Sequence, residues 1–226
     1  FNGESTASKL ARVREQMEKE EAQYHIISTL DDIAWILNVR GNDIPHVPVV
    51  LSFLVIGKED AMWFVEENAL SDAVKEMAAE CGITIRPYED VYAYAATIPE
   101  HSTVLLDKRK VNYRITNALS ETVHIVSKAN PSQLMKAIKN EIELENTRKA
   151  HLLDGIAVTK FMYWLKKNVG KIPMDEVSVS DYLQSLREQM EGYRDISFDT
   201  IAGYNANAAM MHYKAEPDTA AKLSAN

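Results

Sequence analysis

One histidine near the C-terminus is the side chain of this 226-residue sequence best suited to chemistry. His212 ends a run of small and apolar residues that begins at Gly203, and Tyr213 follows it. An imidazole changes its charge near neutral pH, and small neighbours let another molecule approach the backbone closely. Residues 197–213 therefore predict a strand, a turn and a second strand that present a histidine able to hold a proton or a substrate oxygen.

Metal-binding patterns are weak in this sequence. A helical metal site needs two or more His, Cys or carboxylate ligands, usually three or four residues apart. His151 and Asp154 have that spacing, but they lie in a highly charged stretch that is typical of a solvent-exposed helix face. His25, His101 and His124 lie beside predicted strands or loops and are expected to be ordinary surface or hydrogen-bonded histidines. We therefore predict no metal ligands from spacing.

Composition excludes several classes of partner. The net charge of −8 repels phosphate backbones and anionic lipid, so no nucleic acid partner is expected. No apolar run reaches the ~18 residues of a membrane helix, so no membrane association is expected either. Cys81 is the only cysteine, which fits a reducing compartment and predicts a cytoplasmic protein. The sequence has no phosphate-binding glycine loop and no nucleophile elbow.

Hydrophobic periodicity predicts alternating helices and strands over the first 127 residues. Leu10, Val13 and Met17 mark one face of an opening helix, and a strand over 24–28 precedes a short helix over 30–38. Strands over 48–56 and 61–65 form a hairpin. Helices over 69–80, 89–96 and 112–119 alternate with strands over 83–88, 103–107 and 122–126. This order predicts an α/β domain over residues 1–128, with a mixed or mostly parallel sheet covered on both faces.

The character of the sequence changes at Asn130-Pro131, a helix-start dipeptide. Residues from there to Asn168 are almost continuously helical, with a break near Asn140, and a third helix capped by Ser178 or Ser180 runs to about residue 190. We assign residues 129–226 to a second, incomplete domain.

Three stretches resemble one known family. The sequence from Leu30 to Ile44, LDDIAWILNVRGNDI, with Pro48-Val49 after it, closely resembles the middle domain of three-domain Xaa-Pro aminopeptidases (aminopeptidase P). The segments 136–144 and 197–213 resemble the beginning of that family's catalytic domain. The resemblance covers essentially the whole chain, and the three stretches follow the family's order.

The resemblance implies a fold and an activity. The fold would be a creatinase/prolidase N-terminal-type α/β domain with a mixed sheet, followed by a truncated α+β pita-bread catalytic domain. The parent enzyme would be a metallopeptidase with two divalent metal ions, usually manganese, that releases an N-terminal residue preceding proline. Its partners would be peptides with proline at the second position, and relatives commonly form homodimers. In the family the metal ligands lie downstream of the position of His212, so we expect this sequence to be an inactive fragment without metal.

The same resemblance points to two site residues. His212 matches a catalytic, substrate-binding histidine at the rim of the family's site, which hydrogen-bonds the substrate or the tetrahedral intermediate. Arg40 lies in a turn that can approach an active site in related enzymes, although an arginine after a helix is often a salt-bridged surface residue. Two alternatives stay open: a non-catalytic pita-bread module that binds peptides or proteins, and a prolidase-type dipeptidase.

Overall fold

The computed structural model of the chain describes residues 2–225. The chain divides into two compact units, one up to Glu143 and one from Leu144 onwards. The sequence predicts an earlier boundary, between residues 128 and 129. The structural reason for the later division is that the helix over Pro131–Ala137 packs against the first unit.

A six-stranded sheet forms the centre of the first unit, in the order β4-β3-β2-β1-β5-β6. The strands are β1 (Tyr24–Ile27), β2 (Ser52–Gly57), β3 (Ala61–Val65), β4 (Ile83–Arg86), β5 (Thr103–Leu106) and β6 (His124–Ser127). Strand β2 runs antiparallel to β1 and β3, while the other neighbouring strands are parallel. The predicted hairpin and mixed sheet are therefore confirmed.

Helices cover both faces of this sheet. They are α1 (Thr6–Lys19), α2 (Leu30–Leu37), α3 (Asp72–Glu80), α4 (Asp90–Ala95), α5 (Tyr113–Ala118) and α6 (Pro131–Ala137). The predicted apolar face of α1 is buried together with Trp63 in one core, which also receives α2 and α3. Alternate strand residues such as Phe64 and Val104 form a second core with α4 and α5. The period of two in a strand sends successive side chains to opposite faces, so one sheet serves both cores.

Strand β2 begins later than its apolar sequence predicts. The prediction began at Pro48, but the strand starts at Ser52, and Leu51 is 45% exposed. Proline has no N–H to donate to a sheet ladder, so the residues around Pro48 approach the sheet as irregular chain. All six residues of the observed strand are buried.

A buried lysine secures the end of α2. The helix ends at Leu37, and the next residue, Asn38, adopts a left-handed conformation with φ of 55°. Lys9 of α1 is 1% exposed, and its Nζ donates hydrogen bonds to Trp35 O at 2.8 Å and to Asn38 Oδ1 at 2.7 Å. Burial lowers the pKa of Lys9. The bond to Trp35 O adds a donor to one of the last carbonyl groups of the helix, and the bond to Asn38 Oδ1 holds the residue that follows it.

The second unit contains most of α7 (Glu141–Asn168) and all of α8 (Glu176–Glu188). Trp164 stacks on Tyr182 with ring centroids 3.9 Å apart, and Asp154 accepts a 2.6 Å hydrogen bond from Arg187. The predicted break before α7 is confirmed, since α6 ends at Ala137. None of the helices over residues 2–225 is long and apolar enough to cross a membrane.

The strand-turn-strand prediction for residues 197–213 is wrong. Within the described part of the chain these residues form loops around a short 3-10 helix, Asn205–Ala209. Asn205 and His212 have positive φ values of 50° and 56°, which no regular strand accommodates. The backbone N–H of Tyr204 donates to a carboxylate of α8 instead of a neighbouring strand.

Candidate functional site

Among the described residues of the second unit, the most heavily hydrogen-bonded carboxylate is that of Glu176, in the first turn of α8. The residue before it, Asp175, caps this helix: Asp175 Oδ1 accepts from Ser178 N at 2.7 Å, and Asp175 N–H donates to Ser178 Oγ at 2.9 Å. The cap is therefore Asp175, not Ser178 or Ser180 as predicted. Asp and Ser are all good cap residues, so the sequence alone does not decide which one starts the helix. Glu176 follows this cap as the first residue of α8.

Glu176 is the centre of a buried cluster. Its side chain is 1% exposed, although glutamate is rarely buried without partners. Four groups donate to its carboxylate: Tyr204 N (2.6 Å), Asn207 Nδ2 (3.1 and 3.2 Å), the Tyr213 hydroxyl (2.7 Å) and Ala221 N (2.8 Å). We call Glu176 and these four residues the Glu176 cluster. It joins the start of α8 to a segment that surrounds His212 in the sequence.

The cluster keeps Glu176 ionised. Burial by itself raises the pKa of the carboxyl group, because it disfavours the charged form. The hydrogen bonds from the Tyr213 hydroxyl and the N–H groups of Ala221 and Tyr204 act in the opposite direction and lower the pKa from 4.5 to about 2. The hydrogen bond between the Tyr213 hydroxyl and Glu176 also raises the pKa of Tyr213. Glu176 is therefore an anion at neutral pH that only accepts hydrogen bonds.

His212 lies at the surface of the second unit, next to the Glu176 cluster. Its residue is exposed, whereas the following Tyr213 is half-buried and bonded to Glu176. Met211 on the other side is 90% exposed and Met210 50% exposed. Lys214 pairs with Asp199 at 3.2 Å, which holds the chain beyond Tyr213. The structure thus presents an exposed histidine on a segment whose flanking residues are anchored, by Tyr204 and Tyr213 to Glu176 and by Lys214 to Asp199.

Arg40, the other predicted site residue, belongs to the first unit. Its Nη1 donates to Ala34 O at 3.0 Å and to Val39 O at 2.8 Å. The guanidinium thereby binds carbonyl groups at the end of α2, where a cation is also favoured by the helix dipole. This contact stabilises the turn that follows α2.

The described residues do not form a metal centre. Across residues 2–225 no three His, Cys, Asp or Glu side chains are grouped closely enough to hold an ion. His151 is exposed, and Asp154 of the same helix bonds to Arg187. The residues present therefore do not fit a dinuclear site, which needs several carboxylate and histidine ligands.

Two buried polar residues escaped sequence reasoning. Glu176 is one: an acidic residue in a first helical turn is usually explained by the helix dipole, and its partners lie 28 to 45 residues away. His25 is the other: it makes a hydrogen bond, as expected, but its complete burial was not predicted. It is 0% exposed; Nδ1 lies 2.9 Å from Leu105 O, while Nε2 has no hydrogen-bond partner among residues 2–225. The apolar neighbours of His25 in the sequence were the only available sign of its burial.

Comparison with known proteins gives two family matches. Residues 1–143 match the creatinase/prolidase N-terminal domain, and residues 145–226 match metallopeptidase family M24. A probable Xaa-Pro aminopeptidase P of Neurospora crassa is 36% identical over 96% of this chain and 33% of its own length. Xaa-Pro aminopeptidase 1 of Dictyostelium discoideum is 35% identical over 99% of this chain and 36% of its own length. The chain thus spans about a third of these relatives.

Solved structures agree with these matches. The X-prolyl aminopeptidase of Caenorhabditis elegans, described as a cytosolic enzyme with a di-nuclear active site, superposes with a TM-score of 0.91 at 27% identity. The alignment covers 99% of this chain and 37% of that enzyme. The prolidase of Pyrococcus horikoshii shares the fold, with a TM-score of 0.62 at 20% identity over 90% of this chain and 55% of its own. The matches confirm the resemblance drawn from residues 30–44, 136–144 and 197–213.

Proposed function

The chain belongs to the creatinase/prolidase family, with the M24 metallopeptidase match following its N-terminal domain, and we propose that it is part of an Xaa-Pro aminopeptidase. Such an enzyme removes an N-terminal residue that precedes proline. The observation that carries this proposal is the agreement along 99% of the chain with the C. elegans X-prolyl aminopeptidase. The names of the N. crassa and D. discoideum relatives, both Xaa-Pro aminopeptidases, favour the aminopeptidase over the dipeptidase alternative.

His212 is the residue to which we assign a direct part in the reaction. Its side chain is exposed and follows the exposed Met210 and Met211 in the chain, so a peptide can reach all three. A ring N–H in that position would donate a hydrogen bond to the substrate carbonyl, and a donor of this kind favours the charge that develops on the oxygen. We assign Arg40 a secondary, substrate-binding part, which requires its guanidinium to leave the carbonyl groups of Ala34 and Val39.

Cofactor, assembly and location complete the proposal. We expect two divalent metal ions, Mn²⁺ being the expected species, because the C. elegans relative is described as having a di-nuclear active site. The described residues offer no ligand group for such ions, so we assign none of these residues a role in binding metal. A homodimer in the cytoplasm is expected, in line with the description of that relative as cytosolic.

Steady-state kinetics of the full-length gene product with Mn²⁺ test the function. Tripeptides with proline at the second position should be cleaved after their first residue, whereas matched tripeptides with alanine there should not. His212→Ala should lower kcat by roughly 100-fold or more, as expected for loss of a donor to a developing charge. Cleavage of dipeptides alone would support a prolidase. Peptide binding without cleavage would support the non-catalytic module and overturn the proposal.

A further inference from the structure

We infer that Glu176 is a positioning residue for His212, an inference that rests on the proposed function. Glu176 does not adjoin His212 in the sequence. Its buried carboxylate holds the chain on both sides of that histidine, through Tyr204 and Asn207 before it and Tyr213 and Ala221 after it. The position of the His212 imidazole therefore depends on a buried carboxylate that does not contact the substrate.

Only an acceptor with two oxygens satisfies this arrangement. Every group directed at Glu176 is a donor: two backbone N–H groups, one carboxamide NH₂ and one hydroxyl. A glutamine of the same length would place its own NH₂ against one of these donors, and one buried N–H or O–H would lose its partner. Since the side chain is 1% exposed, water has little access to replace that partner.

Tyr213 links the cluster most directly to His212. Its hydroxyl donates to Glu176 Oε2 at 2.7 Å and accepts from Asn207 Nδ2 at 3.0 Å. His212, one residue earlier, has a φ of 56°, a conformation that costs energy for a non-glycine residue and persists where the surroundings enforce it. Release of the Tyr213 ring removes one of those constraints. The backbone of His212 can then relax, and its ring moves from its place.

A double-mutant cycle in the full-length gene product separates positioning from general stability. Glu176→Gln should lower kcat/KM for an Xaa-Pro tripeptide by roughly 100-fold, the loss that a displacement of about 1 Å can cause. In a His212→Ala background the same substitution should lower kcat/KM by less than about threefold, because no placed imidazole remains. Equal losses in both backgrounds would overturn the inference.

Two further variants keep the test informative if Glu176→Gln folds poorly. Tyr213→Phe removes one hydroxyl and should lower kcat/KM by roughly tenfold, again only when His212 is present. Asp175→Ala removes the adjacent helix cap without touching the Glu176 cluster, so its kcat/KM should stay within about twofold of the unsubstituted protein at a temperature where both are folded. A loss for Asp175→Ala as large as that for Tyr213→Phe would overturn the inference.

Hydrogen exchange distinguishes failure of this inference from failure of the proposed function. In the same full-length protein, the amides of residues 204–213 should exchange at least tenfold faster after Glu176→Gln, and at an unchanged rate after Asp175→Ala. An unchanged exchange rate in the Glu176→Gln variant overturns the positioning role, whatever the activity. If the unsubstituted protein cleaves no Xaa-Pro peptide, the proposed function is overturned even when the Glu176→Gln variant exchanges faster, and the positioning then has no catalytic role.

Discussion

The carboxylate of Glu176 accepts a 2.7 Å hydrogen bond from the hydroxyl of Tyr213, 37 residues further along the chain. Glu176 is buried, and Tyr213 is the residue directly after the exposed His212. A stabilising contact and the proposed reacting side chain are thereby adjacent in the chain. Stability and activity of this segment can consequently be measured on the same few residues.

Removal of the Tyr213 hydroxyl should destabilise the second unit. Tyr213→Phe deletes a hydrogen bond to an ionised group, so the free energy of unfolding should fall by clearly more than in a variant that loses an exposed hydroxyl. Urea unfolding of the full-length gene product at pH 7, monitored through hydrogen exchange of residues 204–221, measures the loss. Tyr163→Phe is the matched control, because that tyrosine is 66% exposed, and its effect should stay within about 0.5 kcal/mol. Equal effects of the two variants would contradict the prediction.

Protonation of Glu176 should unfold its segment in acid. The folded-state pKa of about 2 is below the ordinary value of 4.5, so the unfolded state binds the proton first as the pH falls. The stabilisation is complete above pH 4.5 and is lost as the pH falls from there towards 2. Hydrogen exchange of residues 204–213 at pH 2 to 5 should show protection disappearing in this window. A Glu176→Gln variant should lack this pH dependence, and an identical profile in that variant would refute the assignment.

Protonation of the unfolded state at His25 should destabilise the first unit as the pH falls, in a window higher than that of Glu176. Burial lowers the pKa of this imidazole from 6.5 to about 4, opposed by its bond to Leu105 and by Asp32. The unfolded state therefore binds a proton that the folded state excludes between pH 6.5 and 4. Stability is complete above pH 6.5 and decreases by up to about 1.4 kcal/mol per pH unit as the pH falls through this window.

Urea unfolding between pH 4 and 7 checks this dependence. His25→Leu should remove about one proton from the difference between the folded and unfolded states, and the slope should flatten accordingly. His124→Gln, a change at an exposed histidine, should keep the original slope. A His25→Leu variant with an unchanged slope would show that the buried imidazole titrates normally.

Asp31 and Asp32 offer a direct comparison of an exposed and a buried ion pair. Both pair with Lys136 of α6, but the Asp31 side chain is 65% exposed and that of Asp32 is 4% exposed. Asp32 also accepts from Thr29 Oγ1 at 2.6 Å and from Asn130 Nδ2 at 3.2 Å. These contacts join α6 to the start of α2.

Substitution of the two aspartates should have unequal effects. Asp32→Ala removes a buried acceptor from Thr29, Asn130 and Lys136, while Lys136 keeps Asp31, and should cost about 1–3 kcal/mol of unfolding free energy. Asp31→Ala should cost less than about 1 kcal/mol, because an exposed pair gains little over solvation. Thermal or urea unfolding of the two variants tests the difference, and equal losses would contradict a buried anchor at Asp32.

Much of the first unit follows from local patterns. The spacing of Leu10, Val13 and Met17 predicts α1 and its buried face, because burial in a helix repeats every three to four residues. The turn at Gly57 predicts the β2-β3 hairpin, and the string from Leu30 to Ile44 indicates the family. These features depend on residues close to one another in the chain, so the sequence alone determines them.

The tertiary structure decided the long-range contacts. Strand β5 lies beside β1 although β2, β3 and β4 come between them in the sequence. His25 is buried because β1 is a central strand, and Glu176 is ionised because donors from residues 204 to 221 converge on it. A single sequence contains no signal for which distant donor meets a buried carboxylate, since that depends on the path of the whole chain. The proposal for His212 thus came from the sequence, while the contacts of the segment around it came only from the tertiary structure.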